Sequence, residues 1–403
     1  MKNYYKSYYK GKISFWNTFK TEWNSIKSDK AVVSTFLSVT LLILVVYTYI
    51  YSNQIIKEVP VAIVNQDGTK MSRDYIAMLE ATEGTKTITK FTDLEAAKVA
   101  YYSRKVQGIV MIPKNFEKDI RSGKQTTITT FSDAANMLFY KRVLGDVTTV
   151  SGYFSAGIAI KKEMAKGVSL DEAQKNYTPI KAISTSLFNT NSGYATYLIP
   201  MLTALIIQLV LLMGIGLLSG SRRETISTHT EFPRILHKGG VIVILLAKAC
   251  LYTLIYLVII PIQVGIVYSI FGIPVRSSLF TIYVFIIPYI FSVVFLGISI
   301  SSFFKRREDS IVFLVLLSIP SLMLSGLSFP AEGFTPFFKF ISEIIPSTPG
   351  MNGFVKLTQM EASFLDVVKE WNHLWFLTII YFVIAAISLK LRAKKEVMLK
   401  KEL

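Results

Sequence analysis

The residues that could do chemistry are few, and none falls into a catalytic spacing. Phosphate binding would need Gly, four residues, then Gly-Lys-Ser/Thr, because glycines let backbone N–H groups cradle the phosphates and the hydroxyl reaches the magnesium ion. "GKQT" at 123–126 fails, since Lys118 stands where the first glycine belongs and Gln125 replaces the hydroxyl residue. "GKIS" at 11–14 fails in the same way, with Lys6 at the glycine position. His229, His237 and His373 are scattered without metal-ligand spacing. Cys250 is the one cysteine, so no disulfide can form within the chain. Among short loops only Glu332, Glu343 and Glu361 could serve an enzyme working at a membrane surface, too few for a catalytic constellation. The chain is therefore expected to be non-catalytic, with no cofactor and no metal of its own.

Two unusual stretches remain. One is the charged run "SGSRRETISTHTEFPRILHKGG" at 219–240. The other is "LSGLSFPAEGFTPF" at 324–337, continued by "IIPSTPGMNGF" at 344–354. The second is broken by Gly326, Pro330, Gly333, Pro336, Pro346, Pro349, Gly350 and Gly353, yet it stays apolar and aromatic. A soluble loop would be polar, and a membrane helix would be unbroken.

The elements around these stretches are those of a membrane protein. Hydrophobic residues fill 51% of 403 positions and charged residues 18%, too apolar a balance for an ordinary soluble chain. Six runs of roughly 20 residues are long enough to cross ~30 Å of hydrocarbon. They are 31–51, 194–218, 249–271, 279–304, 311–327 and 374–391. The first is read as a permanent anchor, because "TYIYSNQ" offers no small-residue cleavage site. The segments 1–30, 219–240, 304–310 and 390–403 hold 20 Lys and Arg against 8 acids, which puts both termini in the cytoplasm. The net charge of +17 is mostly this topological signal, and it lacks the compact basic domain that nucleic-acid binding would need. Apart from Lys390 at the very end of the last run, no Asp, Glu, Lys or Arg falls within the six runs, which argues against coupling to an ion gradient. An energy source must come from a partner.

Residues 1–30 place Phe15, Trp16, Phe19, Trp23 and Ile26 at helical spacing, suited to a helix in the headgroup layer or to a plain basic anchor. Residues 52–190 read as an α/β domain between the first two spans. "VPVAIVN", "TKTITKF", "VQGIVMIP" and "QTTITTF" are strands, alternating with helices that open at Ser72 and near Asp93 and Asn115. A long helical stretch follows from Asn136. Residues 219–248 form a cytoplasmic loop, and 392–403 a basic tail. Pro261, Pro288 and Pro320 lie inside spans, as hinges or as the kinks common in membrane helices.

This arrangement resembles the permease subunits of ABC-2 type exporters. "VPVAIVNQDGTKMSRDYI" and "KVQGIVMIPKNFEKDIRSGK" are similar to the multidrug (YhhJ-like) subgroup with a large external domain, and "LIPMLTALIIQLV" to its second span. The resemblance implies a polytopic α-helical fold of six transmembrane helices, with an extracytoplasmic α/β domain between helices 1 and 2, in a bacterial inner membrane. It implies partner ATPase subunits that bind ATP–Mg, a second permease chain, membrane lipids as surroundings, and an adaptor leading to an outer-membrane channel. It also implies that 219–248 docks on the ATPase through Arg222, Arg223, Glu224, Phe232, Pro233, Arg234, Lys238 and Lys248. The family's Glu-x-Gly-Thr phrase is incomplete here, since Thr225, Ile226 and Ser227 follow Glu224. The alternative is that these charges only anchor topology. Residues 325–354 would form a re-entrant outer gate through Gly326, Phe329, Pro330, Gly333, Phe334, Pro336, Pro346 and Pro349. A helix resting on the outer surface is the alternative there. The function so implied is export of an amphipathic drug or lipid. A membrane-anchored receptor or scaffold, acting through the external domain, is the other class that fits.

Overall fold

The computed structural model describes residues 14–178, 186–190, 192–224, 240–304 and 307–402. The chain divides into two compact units. One combines Met1–Gln54 with Ser186–Leu403, and the other is Ile55–Thr185.

The Ile55–Thr185 unit is built on a four-stranded sheet ordered β2-β1-β3-β4. Its strands are β1 (Val59–Asn65), β2 (Thr85–Phe91), β3 (Gly108–Ile112) and β4 (Thr129–Ser132). β1 pairs in parallel with β2 and β3, and β4 closes the edge antiparallel to β3. A central strand has no solvent face, which explains the unbroken apolar run of β1. Its alternate residues serve two cores. Val59, Val61 and Ile63 meet Tyr75, Leu79, Phe116 and Val143 on one face, while Ala62 and Val64 meet Ala97, Ala100 and Ile109 on the other. The helices that cover the sheet are α3 (Lys70–Glu80), α4 (Leu94–Tyr102), α5 (Phe116–Arg121) and α6 (Met137–Met164), with α7 (Leu170–Tyr177) packed on α6.

The N-cap expected at Ser72 lies instead at Thr69, whose hydroxyl accepts from Ser72 N. Ser72 is buried and bonds inward to Asn65 and to the Thr69 carbonyl. The residue that ends the Asp67-Gly68 turn is the one free to cap.

In the other unit, α1 (Phe15–Ser28) precedes α2 (Lys30–Ile50). Then come α8 (Tyr194–Glu224), α9 (Gly240–Ile270), α10 (Leu279–Ser301), α11 (Arg307–Met323), α12 (Pro336–Ile344), α13 (Ser347–Gln359) and α14 (Val368–Glu402). α8 is the hub, packing against α2, α10, α11 and α13. Helices are the form these runs must take, because hydrocarbon offers backbone groups no partner.

Among the described residues, six helices are long and apolar enough to cross a membrane: Lys30–Ile50, Met137–Met164, Tyr194–Ser219, Gly240–Ile270, Leu279–Ser301 and Phe364–Lys394. Five overlap predicted spans, the last of them starting at Phe364, ten residues before the expected start. The sixth, α6, turns Val143, Val147 and Val150 into the core of the sheet. The predicted span 311–327 is represented by the shorter apolar stretch Ile311–Met323 of α11. α9, which covers the third predicted span, starts at Gly240, nine residues before the expected start. Pro261 opens a π-helical turn, Ile262–Val267, where the missing amide breaks the α ladder.

Two glycines of "PGMNG" lie inside α13 and break nothing. A Cβ on Gly350 would sit 2.5 Å from the Tyr289 ring, and one on Gly353 would sit 2.1 Å from the Phe285 ring. Both rings are fully buried on α10, so they cannot retreat. Gly350→Ala and Gly353→Ala should therefore each destabilise the detergent-solubilised protein by about 1–3 kcal/mol, the usual cost of overpacking. Thermal unfolding checks this. Unchanged midpoints would mean that α13 is not seated against α10.

Candidate coupling site and outer segment

Helix α1 buries one stripe and exposes another. Glu22 and Ile26, one turn apart, are 2% and 3% exposed, whereas Trp16 is 64% exposed. Asp29 then caps α2 through Ala31 N and Val32 N, fixing the corner between the two helices. The partner of the Glu22 face is α9. Lys248 Nζ lies 3.7 Å from Glu22 Oε2, and the Tyr252 hydroxyl donates to Glu22 Oε1 at 2.5 Å. Lys248 is itself buried. The Tyr252 ring stacks on Phe36 of α2 at 5.3 Å. Phe36 in turn fills the notch at Gly214 of α8, where a Cβ would lie 2.4 Å from the ring. One carboxylate, one ammonium, two rings and one glycine thus clasp α1, α2, α8 and α9.

A buried ion pair is a poor source of stability, because desolvating both charges offsets their attraction. What it does well is fix a single register: Lys248 has few places to go inside an apolar helix, and Glu22 holds it.

Of the predicted docking residues, Lys248 is the one whose side chain is seen engaged. The backbone at Arg222, Arg223 and Glu224 continues α8, which at 31 residues runs about 46 Å, longer than the hydrocarbon layer. Phe232, Pro233, Arg234 and Lys238 lie outside the described residues. Glu22 was missed from sequence. Its signal was available: it is the only acid among the first 28 residues, and a base inside an apolar helix needs a partner.

The segment 325–354 splits into two parts. Gly326 turns the chain with φ +86°, a conformation that favours glycine. Phe329 stacks on Phe334 at 6.1 Å and covers Gly333, where a Cβ would lie 2.3 Å from its ring. Pro336 opens α12, on which Phe337, Phe338 and Phe340 are exposed and Ser342 is buried. Pro346 and Pro349 then lead α13 into the bundle, where both are buried. Cross-bonds hold the end of α12 and α13: Tyr381 donates to the Ile344 carbonyl of α12 at 2.5 Å, while on α13 Gln359 donates to the Pro274 carbonyl at 2.9 Å and Lys356 pairs with Glu370 at 2.7 Å. Gly326, Phe329, Pro330, Gly333, Phe334 and Pro336 thus belong to an arm outside the core, and Pro346 and Pro349 to the packed helix.

The Ile55–Thr185 unit has a cleft of about 800 Å³ where β1 and β3 end, with Asp67, Thr69, Lys114, Glu117 and Lys118 in its wall. Its carboxylates are engaged internally: Asp67 accepts from Glu117 N, and Glu117 accepts from Met71 N and pairs with Arg121. The Arg121 hydrogen bond holds the Glu117 carboxyl below the usual carboxylate range. Among the described residues, no group of three His, Cys, Asp or Glu is placed to hold a metal ion.

A family model described as "ABC-2 family transporter protein" matches residues 30–387. No curated protein matches the chain.

Glu22→Ala should lower unfolding free energy by about 3–5 kcal/mol, the range for removing one partner of a buried pair. Glu22→Leu combined with Lys248→Met should recover most of that loss, and a double-mutant cycle on thermal unfolding isolates the coupling. A loss below ~1 kcal/mol would show that the pair behaves as a surface one.

Proposed function

The chain belongs to the ABC-2 transporter family, and we propose that it is the membrane-spanning subunit of an ATP-driven exporter for an amphipathic drug or lipid. It is a multi-pass membrane permease, the transport component of a system whose family implies ABC ATPase subunits as partners. The observation that carries the reading is the extent of the match, 30–387, which reaches every long apolar helix of the membrane unit, ending within the last, and takes in the whole Ile55–Thr185 unit.

On this reading the ATPases bind ATP–Mg, and two permease chains pair around a path. The apolar character of the spans supports an amphipathic cargo. Both termini and the loop after α8 face the cytoplasm of a bacterial inner membrane, on the charge asymmetry already given. Arg222, Arg223 and Glu224 at the protruding end of α8, with 232–238, meet the ATPase. The Glu22–Lys248–Tyr252 clasp gives that contact a mechanical continuation, since α1 cannot move without α9. A rigid-body shift of this kind is how a partner's closure reaches the spans. The arm at 326–344 and helix α13 supply the outer gate. The Ile55–Thr185 unit faces outward and meets an adaptor protein in the manner of the multidrug subgroup.

A tagged chain taken from its native host in mild detergent should retain a stoichiometric ATP-binding subunit, identified by mass spectrometry. Replacing Glu224 or rebuilding 222–238 should strip that subunit and abolish efflux while membrane insertion survives. Recovery without an ATPase from several detergents would transfer the function to the external unit, as a receptor or scaffold.

A further inference from the structure

Above Lys248 and Tyr252, the buried side of α9 continues with Tyr256, Gln263 and Tyr268, all without exposure. Facing them are Thr40 and Thr48 of α2, Thr203 and Gln208 of α8, and Tyr289 of α10, each buried. Some of these polar groups are satisfied. Tyr268 and Thr203 share a hydrogen bond of 2.7 Å, and the Tyr289 hydroxyl donates to the Ala204 carbonyl at 2.5 Å. Others are not. Both amide atoms of Gln208 and the Gln263 Oε1 have no hydrogen-bond partner among the described residues. The Tyr256 hydroxyl has the Thr40 side chain beside it, and the Gln263 amide makes a long bond, 3.4 Å to Thr48, with Tyr268 also beside it.

Contacts through neighbouring side chains link these groups into one region of the unit. Tyr289 interacts with both Tyr256 and the Gln208 backbone, Tyr256 lies beside Thr40, and Gln263 beside Tyr268. The backbone is unusual at the same places. The π-helical turn Ile262–Val267 contains Gln263, and a second, Ser34–Val39, ends next to Thr40. Such turns in otherwise α-helical spans recur at functional sites.

We infer that Gln208, Tyr256 and Gln263 form an internal hydration site within the helical unit, holding water among α2, α8, α9 and α10. The groups offered are neutral: the Gln208 amide gives two N–H donors and a carbonyl acceptor, Gln263 a second carbonyl, and Tyr256 a hydroxyl. That set matches a small molecule that both donates and accepts, and it carries no formal charge to neutralise an ion. Water fits because each molecule joins two to four otherwise unsatisfied polar groups in a protein interior. A lipid or detergent hydroxyl could offer the same chemistry. The helices of one chain complete the site, so it stands whatever the permease carries.

The test is synchrotron hydroxyl-radical footprinting of the full chain in lipid nanodiscs, after brief mixing into ¹⁸O-labelled water. Radicals formed from bound water attack the side chains beside it, whatever their accessibility. Tyr256 and Tyr289 should be modified and carry ¹⁸O, while Phe285 and Phe295, equally buried in the same unit, should not. Gln208→Leu with Gln263→Leu should cut the modification of Tyr256 several-fold relative to exposed Tyr102 and Tyr153, while Phe285 and Phe295 stay unmodified, which reports that the helical unit is still folded. Absence of modification at Tyr256 and Tyr289 overturns the site, whether the orphans are dry or covered by a lipid hydroxyl. Equal modification of Phe285 and Phe295 overturns it as well, since general opening would then be the source. Thermal unfolding gives a second readout: a higher midpoint for Gln208→Leu marks a dry, unsatisfied amide and counts against the site.

Discussion

Hydrocarbon gives a polar group no solvent to fall back on, and that constraint organises the membrane unit. Backbone groups meet it by forming helices. Side chains meet it by pairing inward: Glu22 with Lys248 and Tyr252, Tyr289 with the Ala204 carbonyl, Thr203 with Tyr268. Between α11 and α13 the non-helical chain is tied by a 3-10 turn, a stacked Phe329–Phe334 pair and the Thr348–Leu324 hydrogen bond. Most of 328–340 stays exposed, so these local contacts rather than burial hold it.

Apolar surface provides little drive between helices that already lie in lipid, so close fit must supply it. Glycine is the tool. Gly214 admits Phe36, Gly350 admits Tyr289 and Gly353 admits Phe285. Each contact places an aromatic ring against bare backbone, where dispersion contacts are most numerous. The same residue type has the opposite use at Gly326, where the absence of a Cβ permits a positive φ. Sequence alone cannot separate these roles, because both read as a break.

How much could be read from sequence follows from the range of each signal. Long apolar runs and period-two strands are local, and α2, α8, α10, β1, β2 and β3 lie close to where the sequence predicts them. The caps were less legible: Ser72 and Thr69 are equally good cap residues, and only the tertiary bonds of Ser72 decide between them. α6 has the length and apolarity of a span, and the sheet that claims its valines is invisible to a hydropathy window. The Glu22–Lys248 pair was the hardest to see, being separated by 226 positions. It could have been sought from the chemistry of two lone charges, but the start of α9 was placed one residue beyond Lys248, and that removed the question.

An apolar replacement of Glu22, Lys248 and Tyr252 would pack as well and cost no desolvation, so stability does not account for the clasp. Specificity does. Leu against Met can slide by part of a turn with little loss, whereas a carboxylate that must meet both an ammonium and a phenol has one acceptable position. Lys248, Tyr252 and Tyr256 succeed one another at four-residue steps on α9, so the register fixed at Glu22 is carried along one helix face to the polar groups of α2, α8 and α10. Displacing α1 would therefore strain the ion pair and everything stacked along that face. The helix with the most buried polar side is thus the one best suited to move as a unit with α1, and the glycine-seated rings of α10 and α13 are the surface against which such a shift would be felt.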